Sequence, residues 1–197
     1  MLPQAIRSLK KEAPLVRLEI YEETTSVLLS HLKEGKIDLG ILALPVDASG
    51  AVTKPVARED FWLAVGKSHP LAARKKASVA AIKSEKLLIL QEGHCFAEQA
   101  LEYCRRSRDD DQVIFQGSSL LSVLKLAAGG DGITFVPRMA VEPRVYPELV
   151  FLPFQDPKPY REIGFIWRVS APLTRACRAV MDAADRAIRD RLSVIPA

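Results

Sequence analysis

The chain has 197 residues, 48% of them hydrophobic and 26% charged, with a formal net charge of +4. That balance suits a globular protein with a substantial core and excludes fibrous, low-complexity and disordered classes. Basic residues are scattered, with short clusters at Arg74-Lys75-Lys76 and Arg105-Arg106, so no stripe for specific DNA binding stands out. Apolar runs such as Leu87 to Leu90 and Ile133 to Val136 fall far short of the roughly 20 residues that cross a bilayer. Met1-Leu2-Pro3-Gln4 carries no secretory pattern, and the expectation is a cytoplasmic chain with no membrane partner.

Leu2, Ile6 and Leu9 recur at helical spacing, and Pro14 closes this first helix. Val16, Leu18 and Ile20 then alternate as a strand. Thr24 or Thr25 offers a capping hydroxyl to a helix that continues through Val27 to Glu34, and Gly35 supplies its left-handed stop. Ile37 to Leu42 reads as the next strand. This alternation predicts βαβ units and a parallel sheet. Beyond a polar turn over Pro45 to Gly50, Val52 to Glu59 and Phe61 to Gly66 read as two extended segments, broken off at His69-Pro70-Leu71.

A short helix near Val79 to Ile82 leads to the strand Leu87 to Leu90. A helix starting beside Cys95 runs to about Ser107, and Ile114 to Gly117 is a strand. Ser118 or Ser119 caps a helix through Leu120, Leu121, Leu124 and Ala128, which Gly129-Gly130 ends. Strands follow at Gly132 to Val136, Leu149 to Leu152 and Ile163 to Trp167. The last helix, Thr174 to Arg191, has Ala176, Val180, Ala183, Ala184 and Ile188 on its apolar side. The fold class is α/β, with no internal repeat and no flexible linker.

Three cysteines make neither a disulfide framework nor a zinc pattern. The stretch Gln91-Glu92-Gly93-His94-Cys95, followed by Phe96 to Tyr103 and then Cys104, is the informative one. On one continuous helix, nine positions would separate the two thiols by roughly 13 Å along the axis and place them on opposite faces. A disulfide needs Cα atoms within about 7 Å, so joining Cys95 to Cys104 requires that helix to unwind or bend. A reactive Cys95 must be a thiolate, which needs positive charge nearby; a helix start, His94 and the distant Arg161 are the candidate sources. The bland alternative is that free cysteines are small buried hydrophobes, and spacing alone favours it.

The flanking residues favour the redox reading. Gly93-His94-Cys95 with Cys104 after a Leu87-Leu88-Ile89-Leu90 strand resembles the redox loop of the OxyR family, the hydrogen-peroxide-responsive LysR-type transcription regulators. The similarity extends to Leu2-Pro3, Tyr21 to Thr25, Gly35 to Asp38, Ile41 to Leu44, His69-Pro70, Glu85 to Leu88, Phe115 with Ser118 to Leu120, and Ala127 to Thr134, so it covers essentially the full chain. The resemblance implies a periplasmic-binding-protein-like regulatory domain of two α/β lobes. Residues 1–60 plus 165–197 would form lobe I, and 61–164 would form lobe II with the redox loop.

By matched positions, the resemblance makes Cys95 the peroxidatic thiol and Cys104 the resolving one. It places Thr25, His94 and Arg161 around peroxide and the thiolate. It further implies no cofactor, no metal and no enzymatic turnover. The implied partners are hydrogen peroxide, a thiol reductant such as glutaredoxin or thioredoxin, and a second copy of the chain, with a tetramer in the full-length protein. DNA binding would belong to a winged helix-turn-helix upstream of Leu2-Pro3, as would a further threonine of the peroxide site.

The sequence departs from the family at Ala97 and Gln116, where basic residues are expected, and in its acidic Asp109-Asp110-Asp111. Two other functions compete: a LysR-type domain binding a small metabolite between its lobes, and a thiol peroxidase. The second would need further catalytic groups, and no GxSxG elbow, phosphate loop or metal set is present. His31 and His69 read as structural or solvated, and Cys177 as a packing residue of the last helix.

Overall fold

The structure, a computed structural model, describes residues 1–90, 113–117 and 119–194. It divides into two compact units, Met1–Arg58 with Glu162–Pro196 (unit 1) and Glu59–Arg161 (unit 2).

In unit 1, helix α1 (Leu2–Glu12) starts with a proline in its first turn, where the missing N–H costs nothing. Its Ala5 and Leu9 are buried. They meet the long C-terminal helix α4 (Arg175–Val194), whose Met181, Ala184, Ala187 and Ile188 are buried in turn. Polar ties run along the seam, from Gln4 Nε2 to Asp190 at 2.7 Å and between Arg186 and Glu12.

Helix α2 (Thr25–Lys33) ends at Gly35, whose φ of +76° is left-handed and suits a residue without Cβ. Arg168 Nη1 donates to the Leu32 and Ile37 carbonyls beside that end. Strand β1 (Gly40–Leu44) pairs antiparallel with β7 (Tyr160–Arg168), and Leu32, Leu42, Leu44 and Ile166 close a small core beneath α2. Gly40 is needed here, because a Cβ would lie 2.8 Å from Ile166 Cγ2 and 2.9 Å from Leu28 Cδ2.

Unit 2 is organised on β2 (Ala51–Gly66), the strand that continues into it from unit 1. Within unit 2, β2 pairs antiparallel with β5 (Thr134–Pro137) and β6 (Leu149–Pro153). β3 (Leu87–Leu90) pairs parallel with β4 (Val113–Gly117). Helix α3 (Leu120–Gly129) is capped by Ser119, whose hydroxyl accepts from the Ser122 N–H at 3.2 Å, and it stops at Gly130 with φ +90°. The core gathers Phe61, Leu63, Leu87, Leu88, Leu124, Ile133, Phe135 and Phe154. Phe135 stacks on Phe154 at 5.2 Å and meets Phe61 edge-on at 6.4 Å, both favourable aromatic geometries.

Four local expectations are corrected. Residues 16–20 form no strand: the segment is mostly exposed and no described strand pairs with it, so alternation produced extended backbone without a ladder. Thr24 is the N-cap of α2, but its hydroxyl pairs with Ser26 Oγ at 3.2 Å and caps no backbone N–H. Val52 to Glu59 and Phe61 to Gly66 are one strand, uninterrupted at Asp60. The parallel sheet reduces, among the described ladders, to β3 with β4, while the pairs of β1 with β7 and of β2 with β5 and β6 are antiparallel. The predicted helix from Cys95 to Ser107 lies outside the described residues.

Candidate functional site

Cys95, Cys104 and His94 lie outside the described residues, as do Ala97 and Asp109 to Asp111. Thr25 and Arg161 are described, Thr25 in unit 1 and Arg161 in unit 2. Thr25 is the first residue of α2 and half-buried. Leu28 N–H closes the first helical bond on the Thr24 carbonyl, so Thr25 belongs to the turn whose own N–H groups have no intrahelical acceptor. That turn presents partial positive charge together with the hydroxyls of Thr24, Thr25 and Ser26.

Arg161 is the last residue of unit 2, and its side chain is 18% exposed. Its Nε donates to Glu59 Oε2 at 2.7 Å. Glu59, the first residue of unit 2, is fully buried, and its Oε1 accepts from the Met139 backbone N–H, also at 2.7 Å. Both carboxylate oxygens are therefore occupied by charge-assisted bonds, which is what a buried carboxylate requires. Sequence reading passed over Glu59. The signal was there in phase: Glu59 shares the alternation of Phe61, Leu63 and Val65, all buried, so an acidic side chain was being sent into a core.

Other singled-out residues have structural partners. His69 Nδ1 accepts from Leu71 N–H at 3.2 Å, capping a short 3₁₀ turn at Pro70–Ala73. That fixes the ring proton on Nε2, which points at Glu85 Oε2 3.3 Å away. Cys177, half-buried in the first turn of α4, receives the Thr174 hydroxyl at 3.2 Å, and its N–H donates to the same Thr174 oxygen. Gln116 is exposed on β4, paired in register with Ile89. Among the described residues, no three His, Cys, Asp or Glu side chains are grouped to hold a metal, and no helix is long and apolar enough to cross a membrane.

Two α/β units, one built from both ends of the chain and threaded by β2 and β7, define the class. The LysR substrate binding domain model matches residues 1–189, and the chain belongs to that family. Over 190 residues the chain is 35% identical to the DNA-binding transcriptional dual regulator OxyR of Escherichia coli K12, covering 92% of this chain and 62% of that protein. The reduced OxyR regulatory domain of Pseudomonas aeruginosa superposes with a TM-score of 0.82 at 32% identity, over 93% of this chain and 90% of that one. A hydrogen-peroxide-bound Cys-to-Ser mutant of Corynebacterium glutamicum OxyR gives 0.89 at 29% identity, over 98% and 63%. The chain spans about three fifths of the length of the curated relatives it matches. Those relatives carry the names of gene regulators, in keeping with the expectation that this chain is no enzyme.

Proposed function

We propose that this chain is the peroxide-sensing regulatory domain of a LysR-type transcription regulator, with Cys95 as peroxidatic and Cys104 as resolving thiol. The observation that carries the reading is similarity to OxyR proteins, in sequence and in structure, over nearly the whole chain, joined to the presence of His94-Cys95 and Cys104 in it. The Cys95 thiolate attacks one peroxide oxygen, the O–O bond breaks and, with one proton taken up, water leaves. Cys95 is now a sulfenic acid. The Cys104 sulfur attacks it, the S–S bond forms and a second water leaves. A dithiol reductant such as glutaredoxin or thioredoxin returns two electrons to reset both thiols.

In this reading Thr25 helps to hold peroxide by its hydroxyl, and His94 and Arg161 supply positive charge to the sulfur. Residues 1–60 with 165–197 act as lobe I and 61–164 as lobe II. The disulfide rearranges a homodimer, within a tetramer of the full-length cytoplasmic protein, and thereby repositions DNA-binding domains supplied by other residues.

The test is peptide mass spectrometry under non-reducing conditions after one equivalent of hydrogen peroxide. A Cys95–Cys104 linkage, with sulfenic acid trapped at Cys95 in Cys104→Ser, is the expected result. Unreacted thiols at millimolar peroxide, with a saturable thermal shift by a small metabolite, would replace this reading by metabolite sensing.

A further inference from the structure

Along the segment that follows α1, Val16, Leu18 and Ile20 alternate with Arg17 and Glu19, and Leu18 and Ile20 are exposed. No backbone N–H or C=O from Arg17 to Glu23 is hydrogen-bonded among the described residues, whereas the Val16 N–H donates to the Ala13 carbonyl at 3.0 Å. Tyr21 Oη donates to Glu19 Oε2 at 3.0 Å, which puts these two side chains on one side, as period 2 requires. Arg17 has no side-chain partner among the described residues. An exposed apolar alternation with open backbone groups is a template for another strand.

We propose that residues 16–20 pair antiparallel with the same residues of a second copy, across a two-fold axis at Leu18. In this register Arg17 faces the partner's Glu19, Glu19 faces the partner's Arg17, and Val16 and Ile20 face each other across the seam. Because the Val16 N–H is already taken, Arg17 and Glu19 are the residues that exchange backbone bonds. The apolar residues then occupy the non-hydrogen-bonded positions, where side chains approach more closely. An axis at Arg17 or at Glu19 would set like charges against each other, and an axis between residues would set a charged side chain opposite an apolar one. The pairing is confined to 16–20: Pro14, without an N–H, and Leu15 lie beyond its end. This gives a surface to the homodimer of the proposed function, and it rests on that reading only for the presence of a second copy.

The readout is sedimentation velocity of the whole chain over a concentration series in reducing buffer, with thermal melting as the check on folding. Arg17→Glu and Glu19→Arg each convert both cross-strand ion pairs into like-charge pairs, and each should raise the midpoint concentration for association about tenfold. An equimolar mixture of the two variants should associate near the wild-type midpoint, because the altered position of each then faces the opposite charge on the other. The double variant Arg17→Glu/Glu19→Arg should do the same with itself. In the wild-type chain, amide exchange at Arg17 and Glu19 should slow as concentration rises.

Association unchanged in both folded single variants overturns this surface and leaves a homodimer formed elsewhere standing. Association weakened in both but restored neither in the mixture nor in the double variant overturns the self-pairing, as would be seen if the segment docked on a different part of the second copy. Should a variant not fold, wild-type amide exchange at Arg17 and Glu19 that is independent of concentration overturns the proposal on its own. A wild-type chain that stays monomeric at millimolar concentration removes this surface and the homodimer together.

Discussion

The two units bury their apolar side chains to different degrees. Of the twelve largest fully buried side chains among the described residues, Phe61, Leu63, Ile82, Leu87, Leu88, Leu124, Ile133, Phe135 and Phe154 belong to unit 2, and Phe165, Ile166 and Ile188 to unit 1. Among the described residues, exposed large apolar side chains run the other way. Met1, Leu2, Leu15, Leu18, Ile20, Tyr21, Val27 and Val169 are in unit 1, against Leu121, Val145 and Tyr160 in unit 2. Unit 2 gathers the aromatic and aliphatic side chains of its antiparallel ladders into one core. Among the described residues, unit 1 has the α1–α4 pair and a small cluster under α2, while most of the segment from Leu15 to Val27 is exposed. Apolar content alone does not make a core; the side chains must also find partners.

The largest effect is expected in the denser unit. Phe135→Ala removes both ring contacts and should cost about 3–5 kcal/mol, read as a fall in the urea midpoint. Leu32→Ala, in the smaller core of unit 1, should cost about 2–4 kcal/mol; a loss equal to or above that of Phe135→Ala would break the contrast. Ser119→Ala deletes the α3 cap and should cost about 1 kcal/mol, seen as faster amide exchange confined to the first turn of that helix. Leu15, 95% exposed, should tolerate serine with a change within about 0.5 kcal/mol. A larger loss would mean that this segment is covered in solution.

The smallest effect is electrostatic. Glu34, at the end of α2, accepts from Lys36 Nζ at 2.7 Å and from the Ser30 hydroxyl at 2.8 Å, and these bonds hold its carboxyl below the ordinary value. A lowered folded value means that this contribution is present above the unfolded pKa and is lost as pH falls through the folded one. Lys36→Ala should bring the Glu34 midpoint back up, measured by NMR titration of its side-chain carbonyl.

The helices were legible because their signals are local. Leu2, Ile6 and Leu9 gave α1, Ser119 and Gly130 gave the two ends of α3, and the alanine-rich run after Thr174 gave α4. Strand pairing was not legible, because period-2 alternation says which way side chains point and nothing about the partner. Val16, Leu18 and Ile20 alternate as well as β2 does from Phe61 onward, yet only β2 has a ladder. The partial break between Glu59 and Phe61 misled for a related reason. Asp60 faces away from the core beside Lys158, so a polar residue in mid-strand was taken as an end. The part played by Glu59 was hidden for want of its partners, Met139 and Arg161, which lie 80 and 102 positions away.

Unit 1 is assembled from both ends of the chain, whereas unit 2 is one uninterrupted stretch from Glu59 to Arg161. During synthesis the two cannot mature together. Unit 2 has all its residues once Arg161 has emerged, but α1 and β1 must wait for β7 and α4, whose pairing closes loops of more than 100 residues. The residues at the start of unit 1 are therefore among the last to find their neighbours, and for that interval α1 carries an apolar face, with Ala5 and Leu9 on it, that α4 packs against.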